Sequence, residues 1–147
     1  MRLAIPAGVP TPSTAGTQSG QRNHMHLNAM LLYLREQIFA HGGGNEHLHA
    51  IFLDADRGFL ADRRIVSGNG TALALRMRAL FTMALQIGSR SLIVAHNHPS
   101  GDCRPSVHDI AATRRMAAIA AALDIELLDH IIITPDRAYS MRAGGDL

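Results

Sequence analysis

The residues best placed to do chemistry lie at the end of one apolar run, Ser91 to Ala95, and in the segment HNHPSGDCRPSVHD that follows from His96 to Asp109. In an extended strand residues two apart share a face, so His96 and His98 can aim both imidazoles at one point while Asn97 faces away. Pro99 stops strand pairing, Ser100-Gly101-Asp102 supply turn chemistry, and Pro105-Ser106 opens an alanine-rich helical segment, so the chain folds back over the strand end. Asp109 then falls in the first helical turn. Two nitrogens and a returned carboxylate oxygen make three protein ligands with a fourth position open, which is the pattern of catalytic rather than structural zinc. His96, His98 and Asp109 are therefore the candidate metal ligands, and Zn2+ the expected ion.

A simpler reading uses the same residues. Ser106 and Asp109, three apart, fit a capping arrangement with Ser106 as N-cap and Asp109 at N3, and capping alone would account for both. A His-x-His pair is also common in a chain with nine histidines. His24-Met25-His26 and His47-Leu48-His49 are two more, but neither is followed by a turn and a returning carboxylate. Cys103 lies inside the loop, yet its spacing fits no zinc-ribbon pattern, and the two histidines and the aspartate already fill a catalytic set.

The elements that must hold this loop follow from periodicity. Residues 1–24, rich in Pro, Gly, Ser and Thr, read as a disordered tail, which leaves 25–147 as one domain. From His26 to Ala40, Leu27, Met30, Leu31, Leu34 and Ile38 recur at helical intervals, and Gly42-Gly43-Gly44 ends the pattern. Leu48 to Leu53 reads as a strand, and Ala55-Asp56-Arg57-Gly58 as a turn into a second strand over Phe59 to Ser67, together a hairpin. Beyond a break at Gly68-Asn69-Gly70, Leu75, Leu80, Met83, Ala84 and Ile87 mark a second helix that ends at Gly88, with its arginines on the solvent face. Ser91 to Ala95 is apolar enough for a central strand buried on both faces. Val107 to Leu123 forms a third helix. Ile125 to Thr134 is another apolar strand, interrupted by Asp129 and His130, which strand parity sends to opposite faces. Both need partners if buried, and the sequence favours structural roles for them. Pro135-Asp136-Arg137 turns the chain into a short last strand near Tyr139. Helix, hairpin, helix, strand, helix, strand predicts an α/β fold, a mixed β-sheet flanked by helices.

With 147 residues and 47% hydrophobic content the chain can build one core without disulfide or metal staples, so a metal here would serve chemistry rather than folding. Net charge is +2, and the fourteen basic residues, all arginine, are scattered among acids and apolar positions. With no Trp, two Tyr and four Phe there is little on which bases could stack, and strong nucleic-acid binding is not expected. The single cysteine excludes an internal disulfide and fits a reducing, cytoplasmic setting. No apolar run approaches the roughly 18 residues of a membrane span, and the short apolar stretch before Pro6 makes a poor secretory signal.

The run His96-Asn97-His98-Pro99, followed by Pro105-Ser106, two further residues and Asp109, resembles the JAMM motif of MPN-type metallopeptidases. Within that superfamily HNHPSGD, together with Leu128-Asp129-His130-Ile131-Ile132, looks like the RadC branch, over a stretch from about Glu46 to the C-terminus. The resemblance implies an MPN-type single domain with zinc on His96, His98 and Asp109, and a glutamate at the head of an upstream strand as general base toward the metal-bound water. Of the three glutamates, Glu36 lies in a helical pattern and Glu126 in a strand after the site. Glu46 opens the run EHLHAIFLD, which resembles the RadC-type start of the first strand, and is the candidate base. Ser106 becomes either an oxyanion donor or only a helix cap.

The activity so implied is zinc-dependent hydrolysis of an amide bond in a peptide or protein substrate. Short connections leave no room for the insertions with which elaborated members of the superfamily hold ubiquitin-like proteins. The helix-hairpin-helix region that RadC-type relatives commonly carry is not in this sequence, so a DNA-binding module is missing or has been left behind. Two other readings use the same residues. One is a non-catalytic metal-binding accessory protein in DNA repair, the role the RadC name implies. The other is a non-haem iron site, which no cosubstrate-binding pattern accompanies. His98→Ala is expected to abolish metal content while leaving the fold intact, and full zinc stoichiometry in that variant, by elemental analysis, would remove the metal-site reading.

Overall fold

The computed structural model describes the backbone of residues 19–65 and 73–147 and the side chains of 27–65 and 76–147. Most of the expected tail, the expected strand end at Val66 and Ser67, the Gly68-Asn69-Gly70 break and the side chains of His24, His26 and Leu75 lie outside the described residues.

Five strands, β1 (Leu48–Leu53), β2 (Phe59–Ile65), β3 (Ser91–Asn97), β4 (Glu126–Ile133) and β5 (Ala138–Ser140), form one sheet in the order β2-β1-β3-β4-β5. β1 pairs antiparallel with β2 and β3, β3 pairs parallel with β4, and β5 returns antiparallel against β4. The one parallel pair needs a crossover, which α3 (Val107–Ala122) supplies. Alternate residues of the inner strands build two cores. Ile51, Leu53, Ile93 and Ala95 pack with Leu34 and Ile38 of α1 (Ser19–Phe39). Ala50, Phe52, Leu92 and Val94 pack on the other side with Leu80 and Ala84 of α2 (Leu73–Ile87) and Met116 and Ala120 of α3. β1 and β3 are buried along their whole length, as strands covered on both faces should be. This is the mixed, helix-flanked α/β sheet that the element order predicts. Among the described residues no helix is long and apolar enough to cross a membrane.

Several details differ from expectation. α1 begins at Ser19 rather than His26 and so runs into the segment read as tail. No proline or glycine lies between Gly20 and Gly42, so nothing in that stretch breaks a helix, and Gly42 ends it with φ at 83°. Leu27 is 47% exposed, so the buried stripe starts at Met30 instead. In α2 Arg78 is exposed, as expected, but Arg76 is half-buried with its Nε shielded from solvent. In the β1–β2 turn the positive φ, 61°, falls on Arg57 and not on Gly58. Gly58 is required for another reason: the Asp54 Oδ1 that accepts from its N–H at 2.7 Å leaves Oδ2 only 2.7 Å from where a Cβ would stand.

The pairing of β3 with β4 contains a register shift. Leu92 stands opposite Leu127, but Ile93 stands opposite Asp129, so Leu128 is passed over. One extra residue reverses the faces of everything after it. His130 therefore lies beside Val94 on the α2/α3 side, and Asp129 is turned the other way, where it accepts from Ser140 Oγ and from the Arg142 N–H.

On the opposite face α1 is tied to the β1–β2 hairpin by Tyr33, whose Oη donates to Asp62 Oδ2 at 2.8 Å, while His49 Nε2 meets the same oxygen at 2.7 Å. Burial, then the hydrogen bond and charge of Asp62, push the Tyr33 phenol up to about 12. A raised folded-state value means that the protonated phenol is favoured by the fold, so this contribution to stability is present below the unfolded value of about 10 and is lost as pH rises toward 12. An ultraviolet titration should show a late tyrosine transition that Tyr33→Phe removes, together with part of the alkaline loss of stability. An ordinary midpoint for both tyrosines would refute it.

Candidate metal centre

The last residues of β3 and the first turn of α3 meet as the spacing predicts. His96 Nε2 and His98 Nε2 are 3.1 Å apart. Asp109 Oδ1 lies 3.3 Å from the first and Oδ2 3.1 Å from the second. His96 is only 5% exposed. His98 Nδ1 is 2.7 Å from the backbone oxygen of Asp102. A carbonyl can only accept, so that ring nitrogen carries the proton and Nε2 presents a bare lone pair. Asp102 is itself anchored: Arg104 Nε and Nη2 donate to its carboxylate, and those bonds hold it down to about 2.

Capping and site are not alternatives here. Ser106 Oγ accepts from the Asp109 N–H at 3.1 Å, and Asp109 Oδ2 accepts from the Ser106 N–H at 2.8 Å, a complete capping box. The same carboxylate reaches both imidazoles. Its burial opposes the charged form, but its contact with His96 and the hydrogen bond from the Ser106 backbone outweigh that and keep the carboxyl below its usual range. In the cap the Ser106 hydroxyl accepts from the Asp109 N–H, and its side chain also helps to hold the Asp109 carboxyl down.

The donor set fits a divalent cation. Tetrahedral zinc with bonds of about 2.0–2.2 Å to nitrogen and oxygen sets neighbouring ligand atoms about 3.3–3.6 Å apart. The separation of the two imidazole nitrogens, 3.1 Å, is close to such an edge, and the carboxylate lies within the same range of both, Oδ1 at 3.3 Å from His96 and Oδ2 at 3.1 Å from His98. Glu46, exposed just before β1, also offers an oxygen, and that oxygen and one nitrogen each of His96 and His98 all lie within 4.8 Å of one another. Glu46 and Asp109 thus each approach the same two imidazoles. Asp109 is held by the cap and touches both imidazoles, while Glu46 is exposed, so Asp109 is the better-fixed of the two carboxylates.

Of the other two histidine pairs, the one whose side chains are described is used by the fold: His47 Nδ1 meets Arg64 Nη2 at 2.8 Å and His49 meets Asp62. Burial, and then the Arg64 charge, lowers the His47 pKa. Cys103 is half-buried and is not among the convergent groups of the described residues. A cavity of about 530 Å³ lies at the far end of β3, lined by Arg57, Arg90, Asp124 and Glu126 among others, and includes no residue of this centre.

Two kinds of residue escape a reading by ligand type. Asn97 does face away from the imidazoles, and it is completely buried. Its Oδ1 accepts from the His47 N–H at 2.7 Å and its Nδ2 donates to the Asn45 carbonyl at 2.9 Å, so it clamps the backbone on either side of Glu46. A buried amide between two candidate ligands is itself a signal, since it must find partners. His130, expected to be structural, instead lies with Nε2 2.7 Å from His96 Nδ1 and Nδ1 2.6 Å from Thr113 Oγ1. It is 3% exposed, and burial drives its pKa down to about 3.

A family profile described as "RadC-like JAB domain" matches residues 25–146. A UPF0758 protein of Roseiflexus castenholzii is 41% identical over 100 residues, which cover 68% of this chain and 43% of that protein. One from Methanococcoides burtonii is 39% identical over 100 residues, covering 68% of this chain and 44% of its own length. One from Cupriavidus pinatubonensis is 30% identical over 145 residues, covering 99% of this chain and 56% of that protein. The chain spans about half the length of the curated relatives it matches.

The Asn97 clamp makes a direct prediction. Asn97→Ala leaves the His47 N–H and the Asn45 carbonyl without their partner, at a cost of about 2 kcal/mol or more. Denaturant unfolding should register that loss, and amide exchange should quicken at His47. Unchanged protection at His47 would refute the clamp.

Proposed function

The chain belongs to the RadC-like JAB domain family, and on that premise we propose that it is a zinc-dependent metallopeptidase or isopeptidase that hydrolyses an amide bond of a peptide or protein. His96, His98 and Asp109 are the metal ligands in this proposal, with Glu46 as general base and acid. The observation that carries it is the mutual spacing of 3.1–3.3 Å among two imidazole nitrogens and one carboxylate.

When bound in such a site, zinc brings the pKa of a coordinated water to about 7 and polarises a carbonyl. Glu46 accepts a proton from the attacking water on its carboxylate and passes it to the leaving amine nitrogen, with its backbone pinned by Asn97. The Ser106 hydroxyl, on an exposed residue beside Asp109, is the donor this reading offers to the carbonyl oxygen as negative charge develops there. Glu46, Ser106 and Val107 are exposed, which leaves this end of the sheet open to an extended substrate segment.

The test is Glu46→Gln. Turnover of peptide and isopeptide substrates should fall by about 100-fold or more, the usual worth of a positioned acid–base group, with bound zinc unchanged. Equal rates in the two proteins would overturn the catalytic role and favour a metal-binding accessory protein that hydrolyses nothing.

A further inference from the structure

Buried behind His96 is a chain of hydrogen bonds whose proton positions can be read from chemistry alone. Thr113 Oγ1 is 2.7 Å from the backbone oxygen of Asp109 and 2.6 Å from His130 Nδ1. His130 Nε2 is 2.7 Å from His96 Nδ1. The Asp109 carbonyl cannot donate, so the one hydroxyl hydrogen of Thr113 must point at it. Thr113 Oγ1 is then only an acceptor toward His130, whose Nδ1 carries a proton. His130 is buried between two elements, where a neutral ring is favoured, so its Nε2 is bare and accepts from His96 Nδ1–H. His96 Nε2 is left with a lone pair directed at His98 and Asp109.

The opposite assignment runs into a conflict. If His130 carried its proton on Nε2, His96 would have to accept on Nδ1 and carry a proton on Nε2, where it would block a cation. Thr113 would then have to donate to His130, which sets its oxygen lone pairs against the Asp109 carbonyl oxygen at 2.7 Å. The tie is therefore broken by a backbone carbonyl of the residue whose side chain completes the candidate site.

We propose that Thr113 and His130 are positioning residues of the metal centre: together they hold His96 as the Nδ1–H tautomer and so keep its Nε2 lone pair on the metal position. The inference rests on the metal-site reading above and deepens it. Neither residue touches the metal position itself. Each acts through His96, as partners of metal-bound imidazoles commonly do.

The test uses the full chain, a zinc titration against a chromophoric chelator, and nitrogen–proton correlation spectra of the imidazole rings in the metal-free protein. Wild type should show His96 protonated on Nδ1. Thr113→Val keeps the shape and removes the hydroxyl, and it should weaken zinc binding by about 10–100-fold and move the His96 proton toward Nε2. Thr113→Ser restores the donor and should return both readouts close to wild type. His130→Gln keeps an acceptor for His96 and should retain more affinity than His130→Leu. Should the His130 variants not fold, the Thr113 pair, checked by circular dichroism, still decides the matter. Wild-type affinity and an unmoved tautomer in Thr113→Val would overturn the proposal, as would a His96 ring protonated on Nε2 in wild type. If wild type binds no zinc, the metal-site reading fails and with it the stated purpose of the relay, whereas zinc binding that ignores Thr113 sinks the relay alone.

Discussion

The structure depends on one crowded contact. Two imidazole nitrogens and the two oxygens of one carboxylate crowd together at the end of β3, with contacts of 3.1–3.3 Å, and the lone pairs of such groups repel unless a proton or a cation lies among them. Each of the three side chains is prevented from relaxing by something outside the site. His98 is held by the Asp102 carbonyl, Asp109 by the backbone of Ser106, and His96 by the buried His130. Anchors of this sort let a first layer of ligands keep an arrangement that its own chemistry would otherwise dissolve.

The pleat of β3 divides the work around that contact. His96 shares its face with Leu92 and Val94, under α2 and α3, while Asn97 shares its face with Ile93 and Ala95, under α1. One side of the strand therefore presents an imidazole to the metal position. The other side grips the chain around Glu46. Because β1 pairs with β3 so that Leu48 stands opposite His96, the head of β1 is delivered to the same end of the sheet. The base proposed for hydrolysis and the imidazoles proposed for the metal are thus brought together by a single ladder of backbone hydrogen bonds.

α3 serves this arrangement twice over. Its first turn supplies Asp109, a carboxylate that also suits the positive end of the helix dipole. Its second turn supplies Thr113, whose hydroxyl bonds back to the carbonyl of Asp109 and stands against His130. A helix that returns over the strand end can reach the site only because β3 and β4 run parallel and need a crossover between them.

The sequence by itself determined the order of elements, the burial of β3, the cap on α3 and the convergence of His96, His98 and Asp109, because these follow from short-range periodicity, from turn residues and from a motif whose parts are near neighbours. Glu46 could be named only through resemblance to a family, since no local pattern distinguishes a strand-head glutamate with a task from one without. Where α1 begins was obscured by a tail-like composition that continues past the first helical residues. What only the tertiary structure decided is what lies behind the ligands. Asn97 was legible as facing away but not as gripping Asn45 and His47, roughly fifty positions back. His130 reaches the site because one residue, Leu128, is passed over in the pairing with β3, and a register shift of that kind depends on two strands meeting, which no single stretch of chain encodes.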